Sequence, residues 1–153
     1  MNELVRLVVF LLDGQRYALP LSCVTRIVCA VEVMPIPNAP AIVFGAINLQ
    51  GSVIPVLDVR QRFQLRRREI GVADQFLIAQ TLWRSVALVV DEAQGLVECD
   101  ASNVVNPNLI TPGLEQFQGV VKLDDGLVLI HDLEKFLSLD EARALDEAME
   151  HAE

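Results

Sequence analysis

Residues 45–58 read GAINLQGSVIPVLD, and residues 119–132 read GVVKLDDGLVLIHD, the same pattern 74 positions later. Gly45 answers to Gly119, Leu49 to Leu123, Val53 to Leu127, Ile54 to Val128, Val56 to Ile130 and Asp58 to Asp132. Working outward, residues 7–28 are matched at an offset of 69 within the stretch that opens at Gln75. Val8 then falls on Leu77, Ala18 on Ala87, Leu19 on Leu88 and Ile27 on Leu96. Each half supplies two long apolar runs, a shorter one, and an apolar hairpin ending in aspartate. The pattern is a small β unit written twice, and neither copy carries an obvious catalytic group.

The 153 residues suit one compact domain or two small modules sharing an interface. Apolar residues make up 52% of the chain and aromatic residues only 5%, so the core must be built from Val, Leu, Ile and Ala. The β-branched share of that set favours strands. No apolar run reaches the roughly 18–20 residues of a membrane-spanning helix. The apolar start at residues 4–12 has Glu3 in place of a basic flank, and Asp13-Gly14 ends it with no small-residue cleavage site, so it does not read as a signal peptide. A net charge of −9 argues against nucleic acid or an anionic membrane as the main partner. Cys23, Cys29 and Cys99 are odd in number and not closely paired, which points to buried, reduced thiols in a cytoplasmic protein.

Asp13-Gly14 between two apolar runs predicts a tight hairpin turn of the kind that needs positive φ at both central residues. Asp124-Asp125-Gly126 predicts the same in the second half. Residues 24–30 form a third short strand candidate, and MPIPNAPA (34–41) reads as a loop because its prolines remove ladder donors. Residues 41–49 and 52–59 predict a hairpin around Gly51, with Pro55 tolerated at an edge or bulge. Asp58 and Asp132 are each placed to N-cap a short helical stretch. Ser138 and Glu141 form an S-x-x-E capping box, after which Leu139, Ala142, Leu145 and Met149 share one helical face, in an acidic tail that frays near Glu153. The expected architecture is all-β with a C-terminal helix over 138–151. Residues 64–73, between the halves, read as a solvated basic linker, or as a docking patch for an acidic surface.

Catalytic readings fare poorly against structural ones. Two β halves each donating an aspartate suggest an aspartic protease dyad, but Asp58 is followed by Val59-Arg60 and Asp132 by Leu133-Glu134, without the small hydroxyl and glycine that shape such a site. His131 reads as a packed residue rather than a base, and His151 as a helix-end cation. The cysteines lack zinc or redox spacing, no phosphate-binding loop occurs, and no serine has a nucleophile-elbow context. No catalytic, cofactor or metal residue is expected. What remains is apolar surface: a groove between two modules, and sheet edges outside them. Gly45, Gly51, Gly95 and Gly119 are turn glycines or points of close backbone approach.

The stretch APAIVFGAINLQGSVIPVLDVRQRF, followed by VALVVDEAQGLVE, resembles the CheW family of coupling adaptors in bacterial chemosensory arrays, and the likeness extends from Leu7 to about Leu145. The family pattern is an aliphatic run ending in glycine, then N-L-R-G-x-h-x-P-h-h-D-h-R-x-x-F, with h aliphatic. The resemblance implies two packed, intertwined five-stranded SH3-like β-barrel subdomains in one domain, with the boundary near residues 64–74. It implies a non-catalytic bridge between the cytoplasmic tip of chemoreceptors and the regulatory domain of a CheA-type histidine kinase. It also implies a place at membrane-associated arrays without membrane insertion. Exposed strand edges further allow weak self-association.

By position, the implied protein-binding residues are Val24, Arg26, Ile27, Gly45, Gln50, Val86, Leu88 and Val90. Gln50 stands where the family usually has arginine, and Arg26 where it usually has glutamate. That change leaves open a competitor or spacer module in a non-flagellar system.

Overall fold

The computed structural model describes residues 3–105, 117–123 and 126–152. The turn expected at Asp124-Asp125, the fraying expected near Glu153, and the side-chain roles expected of Leu139 and His151 lie outside what is described. In chain order the first five strands are β1 (Leu4–Leu12), β2 (Gln15–Pro20), β3 (Val24–Cys29), β4 (Val43–Leu49) and β5 (Ser52–Leu57). A short helix α1 (Val59–Arg62) precedes β6 (Gln75–Gln80), β7 (Ser85–Val90) and β8 (Glu92–Asp100). The two-residue β9 (Val104–Val105), β10 (Phe117–Leu123), β11 (Gly126–His131) and the helix α2 (Leu139–Ala152) complete the order.

The strands form one sheet in the order β8-β1-β2-β11-β10-β9 and another in the order β3-β6-β7-β5-β4. These are the two SH3-like barrels, one with β9 as an added sixth strand. Each sheet draws on both halves of the repeat. The hairpin β1–β2 of the first half joins β8, β10 and β11 of the second, while β6–β7 of the second joins β3, β4 and β5 of the first. The first hairpins of the two halves are thus exchanged. The repeat extends to the pairing: β2 runs parallel to β11 with Ala18 opposite Ile130, and β7 runs parallel to β5 with Ala87 opposite Val56.

Side chains alternate across a strand, and in β1, β2, β5, β6 and β7 both faces are buried, which explains the unbroken apolar runs. In β1, Leu7 and Val9 enter the core of their own barrel, whereas Val8, Phe10 and Leu12 face a larger cluster shared by both barrels. In β6, Phe76 and Ile78 enter the other barrel's core, whereas Leu77 and Ala79 face the shared cluster. The shared cluster also takes Leu57, Leu88, Phe117 and Phe136, so the barrels meet through continuous apolar packing.

Turn chemistry follows expectation at the first two hairpins: φ is 51° and 79° at Asp13 and Gly14, and 52° and 89° at Gln50 and Gly51. Gly45 and Gly119 are both buried because the chain crosses directly over them. A Cβ on Gly45 would sit 2.2 Å from the Met34 carbonyl oxygen, and one on Gly119 would sit 2.4 Å from Val104 Cγ1. Met34 bridges Ala46 in one barrel and β9 pairs with β10 in the other, which is the same closure made twice.

Several local expectations are corrected. β5 is an internal strand with no register shift at Pro55; its pairing with β7 is confined to Val56 and Leu57, so the missing amide falls beyond that ladder. Asp58 accepts from the Gln61 amide at 3.2 Å as the α1 N-cap, but Asp132 makes no side-chain cap to the 3-10 turn Leu133–Lys135. Cys23 is half-buried and Cys29 is exposed, so only Cys99 fits the buried reading. The segment 64–73 is exposed at Arg66, Arg67 and Arg68, as a solvated linker would be, but its charges are not left unpaired throughout. Arg68 pairs with Asp74 and Asp91 at 2.6 Å each, Arg67 stands 3.3 Å from the buried Asp58 carboxylate, and Arg60 is itself buried.

α2 starts at the expected capping box: Ser138 Oγ accepts from the Glu141 amide at 3.1 Å, and Glu141 Oε1 accepts from the Ser138 amide at 2.9 Å. Leu145, Ala148 and Met149 are buried in the shared cluster. Ion pairs from Arg62 to Glu141 and from Arg84 to Asp146 hold the helix against the barrels.

Candidate protein-docking surface

The eight implied binding residues divide by burial. Arg26, Ile27 and Gln50 are exposed and Val24 is half-buried, whereas Gly45, Val86, Leu88 and Val90 are buried. Register explains the division. Val24 lies opposite Ala79, which lies opposite Val86, so those three form one transverse row. Ile27, Leu77 and Leu88 form another. Each row runs from the open edge strand β3 inward to the shared core, so the edge member reaches the surface and the inner members carry it from below. Leu88 and Val90 lie wholly beneath the surface, and Val86 is buried at the wall of a cleft. Gly45 admits the chain's own residue 34, not a foreign backbone.

The start of β3, the Gln50-Gly51 turn and the β6–β7 turn lie at the same end of the five-stranded sheet. This follows because β5 and β7 run parallel and β3 and β7 both run antiparallel to β6. At that end the β6–β7 turn carries two apolar side chains in solvent: Leu82 is 81% exposed and Trp83 is 84% exposed. Sequence reasoning missed this pair. The signal was present, since the offset of 69 places Leu82-Trp83 on Asp13-Gly14, and large apolar residues replace a polar turn.

Behind the turn lies a cleft of about 220 Å³. Leu57, Val86, Leu133, Phe136, Leu137 and Leu145 form its apolar lining, with Arg84, Glu134 and Asp146 at the rim.

Among the described residues the titratable groups do not assemble a reaction centre. His131 is fully buried, edge-on to Phe63 and Phe136 with ring centroids 4.9 and 5.3 Å away, and Phe117 stands beside it. Desolvation, with the nearby Arg62 charge, pushes its pKa down to about 3, so it is neutral and sealed from any substrate. Asp58 is consumed by its cap and by Arg67. No group of three or more potential metal ligands gathers among the described residues. No helix of the described residues is long and apolar enough to cross a membrane.

These features define a class: a two-barrel β protein whose barrels share one continuous apolar core. Comparison with known proteins gives the family. The CheW-like domain model matches residues 6–141. The chain is 28% identical over 150 residues to the chemotaxis protein CheW of Treponema pallidum, covering 94% of this chain and 88% of that one. It is 26% identical over 141 residues to the chemotaxis protein CheW of Bacillus subtilis, covering 91% and 90%. The crystal structure of the scaffolding protein TtCheW from Thermoanaerobacter tengcongensis superposes with a TM-score of 0.80 at 27% identity, covering 92% of this chain and 91% of that one. The chain belongs to the CheW-like domain family and is a non-catalytic chemotaxis scaffold.

Proposed function

We propose that this protein couples chemoreceptors to a CheA-type histidine kinase, binding the cytoplasmic tip of the receptors and the regulatory domain of the kinase. The observation that carries this reading is the family match over residues 6–141 on a fold whose two barrels share one apolar core. A scaffold of that kind transmits geometry. Its continuous shared core resists deformation, so a receptor's change reaches the kinase as a shift between its populated states. The exposed edge of β3 with Arg26 and Ile27, the neighbouring Gln50 turn and the half-buried Val24 form the docking positions; Gly45, Val86, Leu88 and Val90 hold them in place. The site of action is the cytoplasm, at membrane-associated arrays, and open strand edges also permit weak self-association.

Calorimetric titration of the purified protein tests the reading, separately against the kinase regulatory domain and a receptor-tip fragment, then against both together. Binding to each, with both held in the three-component mixture, is the expected result. Binding to one alone would make the chain an occupant of sites it does not bridge. Binding to neither would overturn the coupling role.

A further inference from the structure

We propose that the Leu82-Trp83 turn and the cleft between it and α2 dock a basic amphipathic helix of a partner protein. The turn is held rigid while its side chains are not covered. Thr81 Oγ1 accepts from the amides of Trp83 and Arg84 at 3.1 and 3.0 Å, and the Thr81 amide donates to the Arg84 carbonyl at 2.9 Å. Glu134 Oε1 accepts from the Leu82 amide at 3.0 Å, tying the turn to the segment that leads into α2. A backbone ordered in advance presents an exposed indole and an exposed isobutyl group at little further entropic cost, which is the preorganisation a binding anchor needs. Large exposed apolar side chains beside an apolar cleft mark an interaction site, and tryptophan is the residue type most enriched among interface anchors.

The cleft itself selects the occupant. At about 220 Å³ it lies below the roughly 300 Å³ of ordinary small-molecule pockets, so it suits one or two projecting side chains. The strands beside the turn, β6 and β7, each have a neighbour on both sides, so no open ladder is available to an incoming strand. A helix laid between the turn and α2 remains. The charges around the site give the helix its sign. Arg84 and Asp146 offset each other in a pair at 2.7 Å, which leaves the negative charges of Glu134 and Glu150. Apolar floor and acidic rim together match an apolar ridge flanked by lysine or arginine. The first half of the repeat supplies the contrast: its turn, Asp13-Gly14, is polar, and its aspartate is paired with Arg60.

Trp83 is the only tryptophan of the chain, so its emission reports directly on the site. The full chain is titrated with two synthetic helical peptides sharing one leucine ridge, one flanked by lysines and one by glutamates. The lysine peptide is expected to bind and shift Trp83 emission to the blue, with affinity falling as salt rises. By calorimetry, Trp83→Ala should weaken that binding about tenfold or more, and Glu150→Lys should weaken it without altering the fold. Equal binding of both peptides, binding without any change in Trp83 emission, or no binding would overturn the proposal. A concentration-dependent blue shift with no peptide present would overturn it in favour of a second copy of this chain. The proposal does not rest on the coupling role, which is tested separately with kinase and receptor fragments.

Discussion

Arg60 Nη2 donates to both carboxylate oxygens of Asp91, at 2.7 and 2.8 Å, joining the helix after β5 to the junction between β7 and β8. The same guanidinium donates through Nη1 to Asp13 in the β1–β2 turn at 2.6 Å. Asp91 in turn accepts from the Asp13 amide at 2.9 Å and from Arg68 at 2.6 Å. One carboxylate thus gathers the exchanged hairpin of one barrel and the strand ends of the other. Burial works against both charges, yet the hydrogen bonds outweigh it: Arg60 is raised, and Asp91 is held below the usual carboxylate range.

Removing Arg60 leaves the Asp13 and Asp91 carboxylates close together, with Arg68 still paired to Asp91. Arg60→Ala is expected to cost about 2–4 kcal/mol, lowering the thermal midpoint by roughly 2–4 °C for each kcal/mol in a chain of this size. Because Asp91 is depressed in the folded state, its contribution is present above the ordinary aspartate pKa of about 3.9 and is lost as pH falls below it. Thermal unfolding of the variant at neutral pH checks the first point. A midpoint equal to the parent's would show that the cluster contributes nothing net.

Gly45→Ala and Gly119→Ala should differ although the repeat makes the two positions equivalent. The added methyl at 45 meets a carbonyl oxygen at 2.2 Å, on a residue with φ of 154°. At 119 it meets the Val104 side chain, which can rotate, and the nearest backbone atom is 3.3 Å away. A loss of about 3 kcal/mol at 45 and about 1–2 kcal/mol at 119 is expected from overpacking. Urea midpoints of the two variants, compared at equal slope, decide it; the reverse order would contradict the close crossing.

His131 should make the protein sensitive to mild acid. Folded, it titrates near 3, and unfolded near its ordinary value of about 6.5. Between those limits the unfolded chain binds a proton that the folded chain refuses. Stability therefore falls as pH drops below about 6.5, by up to about 1.4 kcal/mol per pH unit, and is whole above it. His131→Leu should flatten that part of the curve. Parallel stability profiles for parent and variant between about pH 7 and pH 4 would refute the assignment.

Partner choice is tested where this chain departs from the family pattern. Gln50 and Arg26 are both exposed, so Gln50→Arg with Arg26→Glu should leave the thermal midpoint within about 1 °C, as surface changes usually do. The double variant is expected to alter affinity for one of the two proposed partners by about threefold or more, a scale consistent with rim charges. Titration against both fragments reads the effect. Unchanged binding to both would remove these positions from the docking surface.

What the sequence by itself determined lies within a few residues of itself. The Asp13-Gly14 turn, the Asp58 N-cap and the Ser138–Glu141 capping box are local chemistry, in which turn and cap residues act on backbone groups at most three positions away. The strands were legible because β-branched runs between turn residues have few alternatives, and the twofold pattern was legible because repetition is a property of the string. Only the tertiary structure decided which hairpin joined which barrel. The two halves are near-equivalent, so both pairings satisfy the same local preferences, and the choice is made by packing across the shared core. It also decided that Arg60 and Arg68 are clamps rather than solvated charge, since Asp13 and Asp91, 78 positions apart, meet only after folding. Trp83 follows the same logic from the other side. Its apolarity suggests burial, yet the ring stands 84% exposed at the hairpin tip, and exposure is settled by position in space rather than by residue type.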